Sequence, residues 1–311
     1  MKYLVQILLA TLVCLGSTSS LRAQHLPVRS NYLLTSFMDH PAAAGNKDCL
    51  DLRLGHRNQW VGFPGAPTNS FISLSGRLGE TPRSVQGIGI KVETDEAGPW
   101  GTTSASIAYS HKLKLNNQGW VSAGFSLGLS QFRLNPNGLD VTISDPAILG
   151  DQSSQFLFPI VDAGLWYQDK RNFGGISILN ATSGALTSIS NNSQTTRIFV
   201  ATAGTSLELD GKFVFRPSAN FRITSGLPVC FEMNGAVVYD DLISVGLGYR
   251  VQSALIGSLQ ISLFNYMKVG YSYDFGISRI GVASRSSHEF TLAFSACDMK
   301  ATSVHSCPAY D

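Results

Sequence analysis

The feature that most constrains this chain is a strict alternation of apolar side chains with serine and glycine. In residues 121–130, Val, Ala, Phe and Leu occupy every odd position, and Ser and Gly occupy every even one. A period of two is that of a β-strand, whose successive side chains point to opposite faces. The sequence therefore predicts an all-β protein whose strands have two unlike faces. The same alternation recurs in residues 104–110, 243–250, 258–263, 268–275 and 289–295.

The polar face carries too little charge for a soluble β-sandwich. Charged residues make up 14% of the 311 residues, whereas an ordinary soluble domain has about 25%. A face of serine and glycine suits the lumen of a barrel that has lipid on its other side. After residue 23, no uncharged apolar run reaches the roughly 18 residues that a membrane helix requires. The chain is predicted to be a transmembrane antiparallel β-barrel.

The spacing of the alternating segments predicts about fourteen strands, an even number like that of single-chain bacterial barrels. Their centres are expected near residues 54, 73, 90, 107, 126, 164, 176, 202, 217, 233, 247, 259, 272 and 291. Such barrels have short periplasmic turns and longer outer loops. The predicted turns are residues 79–83, 116–118, 169–172, 210–211, 240–241 and 265–266, and the predicted loops are 59–67, 95–100, 135–159, 180–195 and 278–286.

The N-terminus has the layout of a secretory signal peptide. Lys2 precedes an apolar stretch at residues 4–15, and small and polar residues follow up to residue 23. The alternative, a short buried strand or helix, does not explain the leading lysine. We expect residues 1–23 to be removed, residues 24–48 to form an N-terminal periplasmic segment, residues 49–297 to form the barrel and residues 298–311 to form a C-terminal tail.

The charge balance gives no indication of a nucleic-acid partner. Removing residues 1–23 takes Lys2 and Arg22 from the 23 basic residues and none of the 21 acidic residues. The mature chain is then formally neutral and lacks the electrostatic footprint that nucleic acid requires.

Several motifs carry a resemblance to a known family. Residues 57–67 read Arg-Asn-Gln-Trp-Val-Gly-Phe-Pro-Gly-Ala-Pro, and residues 95–99 form an acidic turn that ends in Gly-Pro. Residues 30–45, Asp145-Pro146-Ala147 and Ser287-His288-Glu289 also match, so the likeness covers the whole mature chain. The chain resembles the PorP/SprF family of Bacteroidetes outer-membrane proteins. One departure is Asp39-His40 before Pro41, where the family generally has Leu-Asn-Pro.

The resemblance implies an integral outer-membrane component of the type IX secretion system. It implies export or surface attachment of cargo with a C-terminal sorting domain, including adhesins in gliding bacteria. The implied partners are other secretion components and that cargo, within outer-membrane lipid. Composition and periodicity by themselves support only a barrel, and a fold does not establish a function. An outer-membrane channel for small or hydrophobic molecules is the alternative.

Residues 57–67, together with Trp100, supply the candidate functional residues. We expect them to form the outer mouth or a partner-binding loop; they are Arg57, Gln59, Trp60, Gly62, Phe63, Gly65, Pro67 and Trp100. The aromatic residues have two compatible interpretations. They could belong to the aromatic girdle of any such barrel, or they could line a loop that receives a partner segment.

No catalytic, metal or cofactor site is predicted. Residues 124–128 match the pattern Gly-x-Ser-x-Gly, but that motif needs a sharp strand-to-helix turn, and here it lies inside an alternating strand. The scattered His56, His111 and His288 have no metal-binding spacing. The Cys297, His305 and Cys307 group likewise matches no standard zinc signature.

Four cysteines remain after residue 23: Cys49, Cys230, Cys297 and Cys307. A secreted protein occupies a compartment that permits disulfides. Cys49 opens the first predicted strand and Cys297 ends the last, and these strands are neighbours in a closed barrel. A Cys49–Cys297 disulfide is therefore predicted. The alternatives are a local Cys297–Cys307 pair and reduced cysteines that act as small apolar residues.

Overall fold

The computed structural model describes residues 28–115, 119–135, 154–182, 196–225, 227–264, 266–278, 284 and 286–296. Their regular structure is almost entirely β. One short helix, α1 (Ser36–Asp39), and one 3-10 turn (Pro41–Ala43) precede the strands. The strands are β1 (Asp51–Asn58), β2 (Thr68–Thr81), β3 (Ser84–Ala97), β4 (Trp100–Lys114), β5 (Trp120–Leu134), β6 (Ser154–Gln168), β7 (Asn172–Leu179), β8 (Ile198–Thr205), β9 (Leu207–Asp210), β10 (Phe213–Thr224), β11 (Cys230–Tyr239), β12 (Ile243–Arg250), β13 (Ala254–Leu263), β14 (Met267–Gly276) and β15 (Ser286–Ser295).

The strands close into an antiparallel barrel. Strands that are neighbours along the chain pair with each other, apart from β8 and β9. Pairing of β15 with β1, from Asp51–Ser295 to Asn58–His288, closes the barrel. Strands β8 and β9 both pair with β10; only Ser206 separates them, so together they count as one of fourteen barrel strands. This confirms the predicted fold, and each predicted centre falls within a strand. We call the end with the β1–β2, β5–β6 and β7–β8 connections the loop end, and the opposite end the turn end.

The two faces of the wall separate as the alternation predicts. In β5, Ser122 and Ser126 point inward and are buried, whereas Phe125 and Leu127 point outward, and Leu127 is 55% exposed. The outward face meets lipid in a membrane barrel, so the apolar side chains there need no protein cover. No helix in the described part of the chain is long and apolar enough to cross a membrane.

Two predicted loops are shorter than expected. The loop predicted at 95–100 is reduced to Gly98 and Pro99, since Ala97 and Trp100 already pair. A two-residue connection of this kind needs a residue that tolerates the left-handed backbone region, and Gly98 has a φ of 59°. The acidic residues of the predicted turn, Asp95 and Glu96, therefore lie within β3.

The loop predicted at 135–159 also ends early, because β6 begins at Ser154. Pro159 lies within this strand even though proline cannot donate to a ladder. The Val161 oxygen accepts a hydrogen bond from Ala181 N at 2.8 Å, so the backbone polar groups of Val161 point away from β5. Residues two apart in a strand direct these groups to the same side, so the backbone nitrogen and oxygen of Pro159 also point away from β5. The missing N–H of Pro159 therefore costs β6 no hydrogen bond to β5.

Residues 28–46, which we call the plug, lie inside the barrel. The sequence analysis predicted an N-terminal periplasmic segment over residues 24–48, and the described part of that segment enters the barrel. Residues 29–46 are buried apart from half-buried Leu33, and Ala42 and Ala43 pack on Trp166 and Phe173 of the wall. The inner wall is lined by short polar residues, which leaves room and hydrogen-bonding groups for a polypeptide. The signal peptide and the C-terminal tail lie outside the described residues and stay predictions.

Cys49 forms a disulfide whose partner lies outside the described residues, whereas Cys230 is a free thiol. Ala296 N donates to the Leu50 oxygen at 2.9 Å, so the end of the last strand lies beside the residue that follows Cys49. Pairing of Cys49 with Cys297 stays a prediction. Peptide mapping without reduction is expected to yield one linked peptide that contains both residues. A Cys297–Cys307 peptide would contradict this pairing.

Candidate functional site

The loop between β1 and β2 is braced against the neighbouring strands. Gln59 N donates to the Pro67 oxygen at 2.9 Å, which closes the base of the loop. Val61 N donates to the Ser286 oxygen at 2.8 Å, and the Ser284 hydroxyl donates to the Val61 oxygen at 2.8 Å. The loop is therefore tied to the start of β15 on one side.

Positive φ angles shape the tip of this loop. Trp60, Gly62 and Gly65 have φ values of 51°, 92° and 71°. These values lie in the left-handed backbone region, which is strained for a residue with a side chain but readily adopted by glycine. Gly65 also accepts a hydrogen bond from Gly98 N at 3.0 Å, which ties the loop to the β3–β4 turn on its other side.

The braced loop presents apolar side chains to the exterior. We call Val61, Phe63, Pro64 and Trp100 the apolar crest; all four are exposed at the loop end. Trp100 packs against Phe132 with ring centroids 5.4 Å apart. Exposed apolar groups held on a fixed backbone are typical of interaction sites.

The structure divides the predicted mouth residues into two groups. Gly62, Phe63, Gly65 and Trp100 are exposed at the loop end, and Gln59 and Trp60 are half-buried there. Arg57 and Pro67 are buried. A role of Arg57 and Pro67 at the mouth or in partner binding stays a prediction.

Carboxylates of the wall hold the first residues of the plug. Glu289 accepts the backbone N–H groups of Ser30 at 2.7 Å and Asn31 at 3.0 Å. Asp274 accepts the Ser30 hydroxyl at 2.8 Å. Both carboxylates lie near the loop end, on β15 and β14.

Two arginines complete this cluster. Arg57 lies 2.7 Å from Asp274 and 3.3 Å from Glu289, and Arg250 donates to Asp274 at 2.8 Å. Both also donate to the Ser30 hydroxyl oxygen, at 3.1 Å and 2.8 Å. We call Ser30, Arg57, Arg250, Asp274 and Glu289 the clasp. All five side chains are buried, so the ionised groups compensate one another without bulk water.

A second set of contacts holds the middle of the plug. Asp39 accepts hydrogen bonds from Arg29 within the plug and from Arg222 of β10, the latter at 2.7 Å. His40 places Nδ1 2.8 Å from the Ser177 hydroxyl and Nε2 2.9 Å from the Thr202 hydroxyl. The residue pair that departs from the family pattern thus connects the plug to β7, β8 and β10.

The last residues of the plug fit against a part of the wall built from serine and glycine. The hydroxyls of Ser122 and Ser110 donate to the backbone oxygens of Ala42 and Ala44, each at 2.7 Å. A Cβ on Gly124 would lie 2.5 Å from the Ala42 Cα. We call residues 41–46 the seat. Glycine is needed in the wall here because the plug backbone approaches it closely.

The plug contacts the wall on every side. Its residues are hydrogen-bonded to β14 and β15 at the clasp, to β10 through Tyr32 and Asp39, to β7 and β8 through His40, and to β4 and β5 at the seat. The sequence analysis did not find this arrangement. A usable signal was present, because Arg250, Asp274 and Glu289 interrupt faces that otherwise carry mainly serine and glycine.

The described residues contain no group of three or more His, Cys, Asp and Glu side chains that could hold a metal ion. Ser126 of the Gly-x-Ser-x-Gly pattern points inward from β5 and donates to Asp162 at 2.6 Å. Lys91 is also 2.9 Å from Asp162 and donates to the Met38 oxygen of the plug at 3.0 Å. Ser126 therefore belongs to the polar packing around the plug.

Comparisons with known proteins give one family match. A family model described as "Type IX secretion system membrane protein PorP/SprF" matches residues 21–294. A search of curated protein sequences gave no significant match.

Among solved structures, the chain is similar to outer-membrane barrels. The CymD monoaromatic hydrocarbon channel is 14% identical, with a TM-score of 0.50 over 87% of this chain and 94% of that one. A Pseudomonas aeruginosa FadL homologue is 10% identical, with a TM-score of 0.49 over 86% and 94%. The translocator domain of autotransporter NalP from Neisseria meningitidis is 11% identical, with a TM-score of 0.41 over 84% and 91%. At these identities the likeness shows the fold alone.

Proposed function

The chain belongs to the PorP/SprF family of type IX secretion system membrane proteins, and from this premise we propose that it is a non-enzymatic docking barrel of the outer membrane. Its cargo would be secreted proteins with a C-terminal sorting domain, including adhesins in a gliding bacterium of the Bacteroidetes. Residues 1–23 would direct export and be removed, and outer-membrane lipid would surround the wall. The other secretion components are its expected partners.

The apolar crest is the observation that carries the docking proposal. Its side chains project from a loop that hydrogen bonds hold on both sides. A preorganised apolar surface loses little conformational entropy on binding, so most of the contact free energy is retained. The crest is therefore the proposed contact surface for cargo or for a neighbouring secretion component.

The plugged lumen supports docking over passage of small molecules. The plug contacts strands on every side of the barrel. A channel for small or hydrophobic molecules, the alternative from the sequence, needs a continuous path through or out of the barrel. The family match does not favour that alternative.

Gene deletion with complementation tests the proposal in cells. A strain without the chain is expected to lose proteins with a C-terminal sorting domain from its surface, and the unaltered gene is expected to restore them. A Phe63→Ser and Trp100→Ser double variant should restore markedly less, because it removes two crest side chains. Val229→Ser is the matched control, since it alters an exposed apolar residue of the β10–β11 connection at the same end.

Quantitative proteomics of the cell surface provides the measurement. The amount of each barrel in the outer membrane is measured in parallel, so that poor assembly is not mistaken for poor docking. An unchanged surface proteome in the deletion strain would contradict the export role. Full restoration by the crest double variant would leave the family role intact and reject the crest as the contact surface.

A further inference from the structure

The two ends of the plug are held by different physical means. Near the loop end, Ser30 and Asn31 are held by hydrogen bonds to the side chains of Asp274, Glu289 and two arginines. Near the turn end, residues 41–46 are held mainly by close steric fit against glycines of the wall, with hydrogen bonds from the Ser110 and Ser122 hydroxyls. The seat is also joined through only a few residues to β1, which starts at Asp51.

We propose that the plug is a hinged stopper: the clasp is its releasable end, the seat is its fixed end, and release of the clasp opens the lumen. This inference does not depend on the proposed cargo or on the crest. It concerns the conductance of the barrel and the movement of residues 28–46.

The chemistry of the clasp permits release. Water that enters from the loop end can replace each of its hydrogen bonds, and the exchange of protein for water partners changes the free energy only modestly. The wall charges also pair with one another: Arg57 and Arg250 both contact Asp274 without help from the plug. The wall can therefore keep its ion pairs when Ser30 leaves.

The chemistry of the seat opposes release. The backbone of residues 41–45 occupies the space that side chains on Gly87 and Gly124 would otherwise fill. Phe37 and Ala44 pack with Ala108 of β4. Withdrawing this end would leave a void beside an apolar surface, and voids in packed regions are costly.

Conductance in planar bilayers tests the stopper. The unaltered barrel is expected to show no steady conductance. Glu289→Ala removes the acceptor for two plug N–H groups and should produce openings. Deletion of residues 28–35 removes the clasp end of the plug while leaving every wall residue, and should give a long-lived open state.

The matched control is Glu96→Ala, which removes a carboxylate that pairs with Arg133 at 2.8 Å on the exposed side of the barrel. It should remain as closed as the unaltered protein. All variants are compared as folded barrels, identified by their resistance to unfolding in detergent at room temperature. The deletion variant keeps the wall charges intact, so it remains informative if Glu289→Ala does not fold.

Thiol labelling tests which end moves. Asn31→Cys and Asn46→Cys place a thiol at buried positions next to the clasp and at the seat end, and Asn31→Cys keeps the backbone N–H that Glu289 accepts. A water-soluble maleimide should spare both in the otherwise unaltered barrel, as read by mass spectrometry of the labelled peptides. With Glu289→Ala added, Asn31→Cys should become at least tenfold more reactive and Asn46→Cys should stay protected.

Two results would overturn the inference. A deletion variant lacking residues 28–35 that conducts no better than the unaltered barrel would show that the plug does not close the lumen. Equal labelling of Asn31→Cys and Asn46→Cys in the Glu289→Ala barrel would show that the plug has no fixed end.

Discussion

Gly124→Ala is expected to lower the free energy of unfolding by about 1–3 kcal/mol, the usual cost of overpacking a filled interior. The added Cβ would lie 2.5 Å from the Ala42 Cα, 2.6 Å from the Ala42 N and 2.7 Å from the Pro41 carbonyl carbon. All three atoms belong to the backbone of the seat, so no flexible side chain can turn away. Either the wall or the seat must shift, and both changes remove packing contacts.

Gly257→Ala is the matched control for this prediction. A Cβ at Gly257 meets no heavy atom within 4 Å, and the residue lies in a barrel strand, β13. Thermal unfolding in detergent, followed by circular dichroism, is expected to show a lower midpoint for Gly124→Ala and an unchanged midpoint for Gly257→Ala. Equal midpoints for both variants would contradict the close approach of residues 41–46 to β5.

The wall was predictable because its sequence signal is local. Each strand meets lipid on one face and a polar interior on the other, so every segment carries its own period of two. Pairing between chain neighbours then follows from the short turns. The two overlong loop predictions arose where strands extend beyond the alternating region, as at Ser154 and Ala97.

The plug was not predictable in the same way. Residues 28–46 have no helical or strand period, and their partners are remote in sequence: Ser30 contacts Glu289, and His40 contacts Thr202. No local sequence pattern indicates contacts between residues so far apart in the chain. The buried charges on the inner faces of β12, β14 and β15 were visible in the sequence, but they indicate only that something polar faces them.

The burial of Arg57 follows from its strand parity. Asp51, Arg53 and Arg57 share one parity in β1, and all three point into the lumen. The motif that begins at Arg57 continues into an exposed loop, so the sequence analysis grouped the arginine with the mouth and partner-binding residues of that loop. Counting strand parity up to Asn58, the last residue of β1, would have assigned Arg57 to the interior.

The second large effect on the free energy of unfolding is expected at the clasp. Arg250→Ala is expected to lower the free energy of unfolding by about 3–5 kcal/mol, because it leaves buried carboxylates without their charge partner. Arg250 contacts Glu232 at 2.6 Å and Asp274 at 2.8 Å, and both carboxylates are less than 3% exposed. Asp274 retains Arg57 at 2.7 Å, so Glu232 accounts for most of the penalty.

Arg133→Ala supplies the comparison for Arg250→Ala, because the Arg133–Glu96 pair has the same chemistry at 2.8 Å but is about half exposed. Water screens that pair, so its loss should cost about 0–1 kcal/mol. Adding Glu232→Ala to Arg250→Ala should recover part of the loss, since it removes the unpaired carboxylate. Thermal unfolding of these three variants and of Glu232→Ala alone, in one detergent, measures the differences. An additive double variant, or an Arg250→Ala midpoint equal to that of Arg133→Ala, would show that water reaches Glu232 and that the clasp is hydrated when the plug is in place.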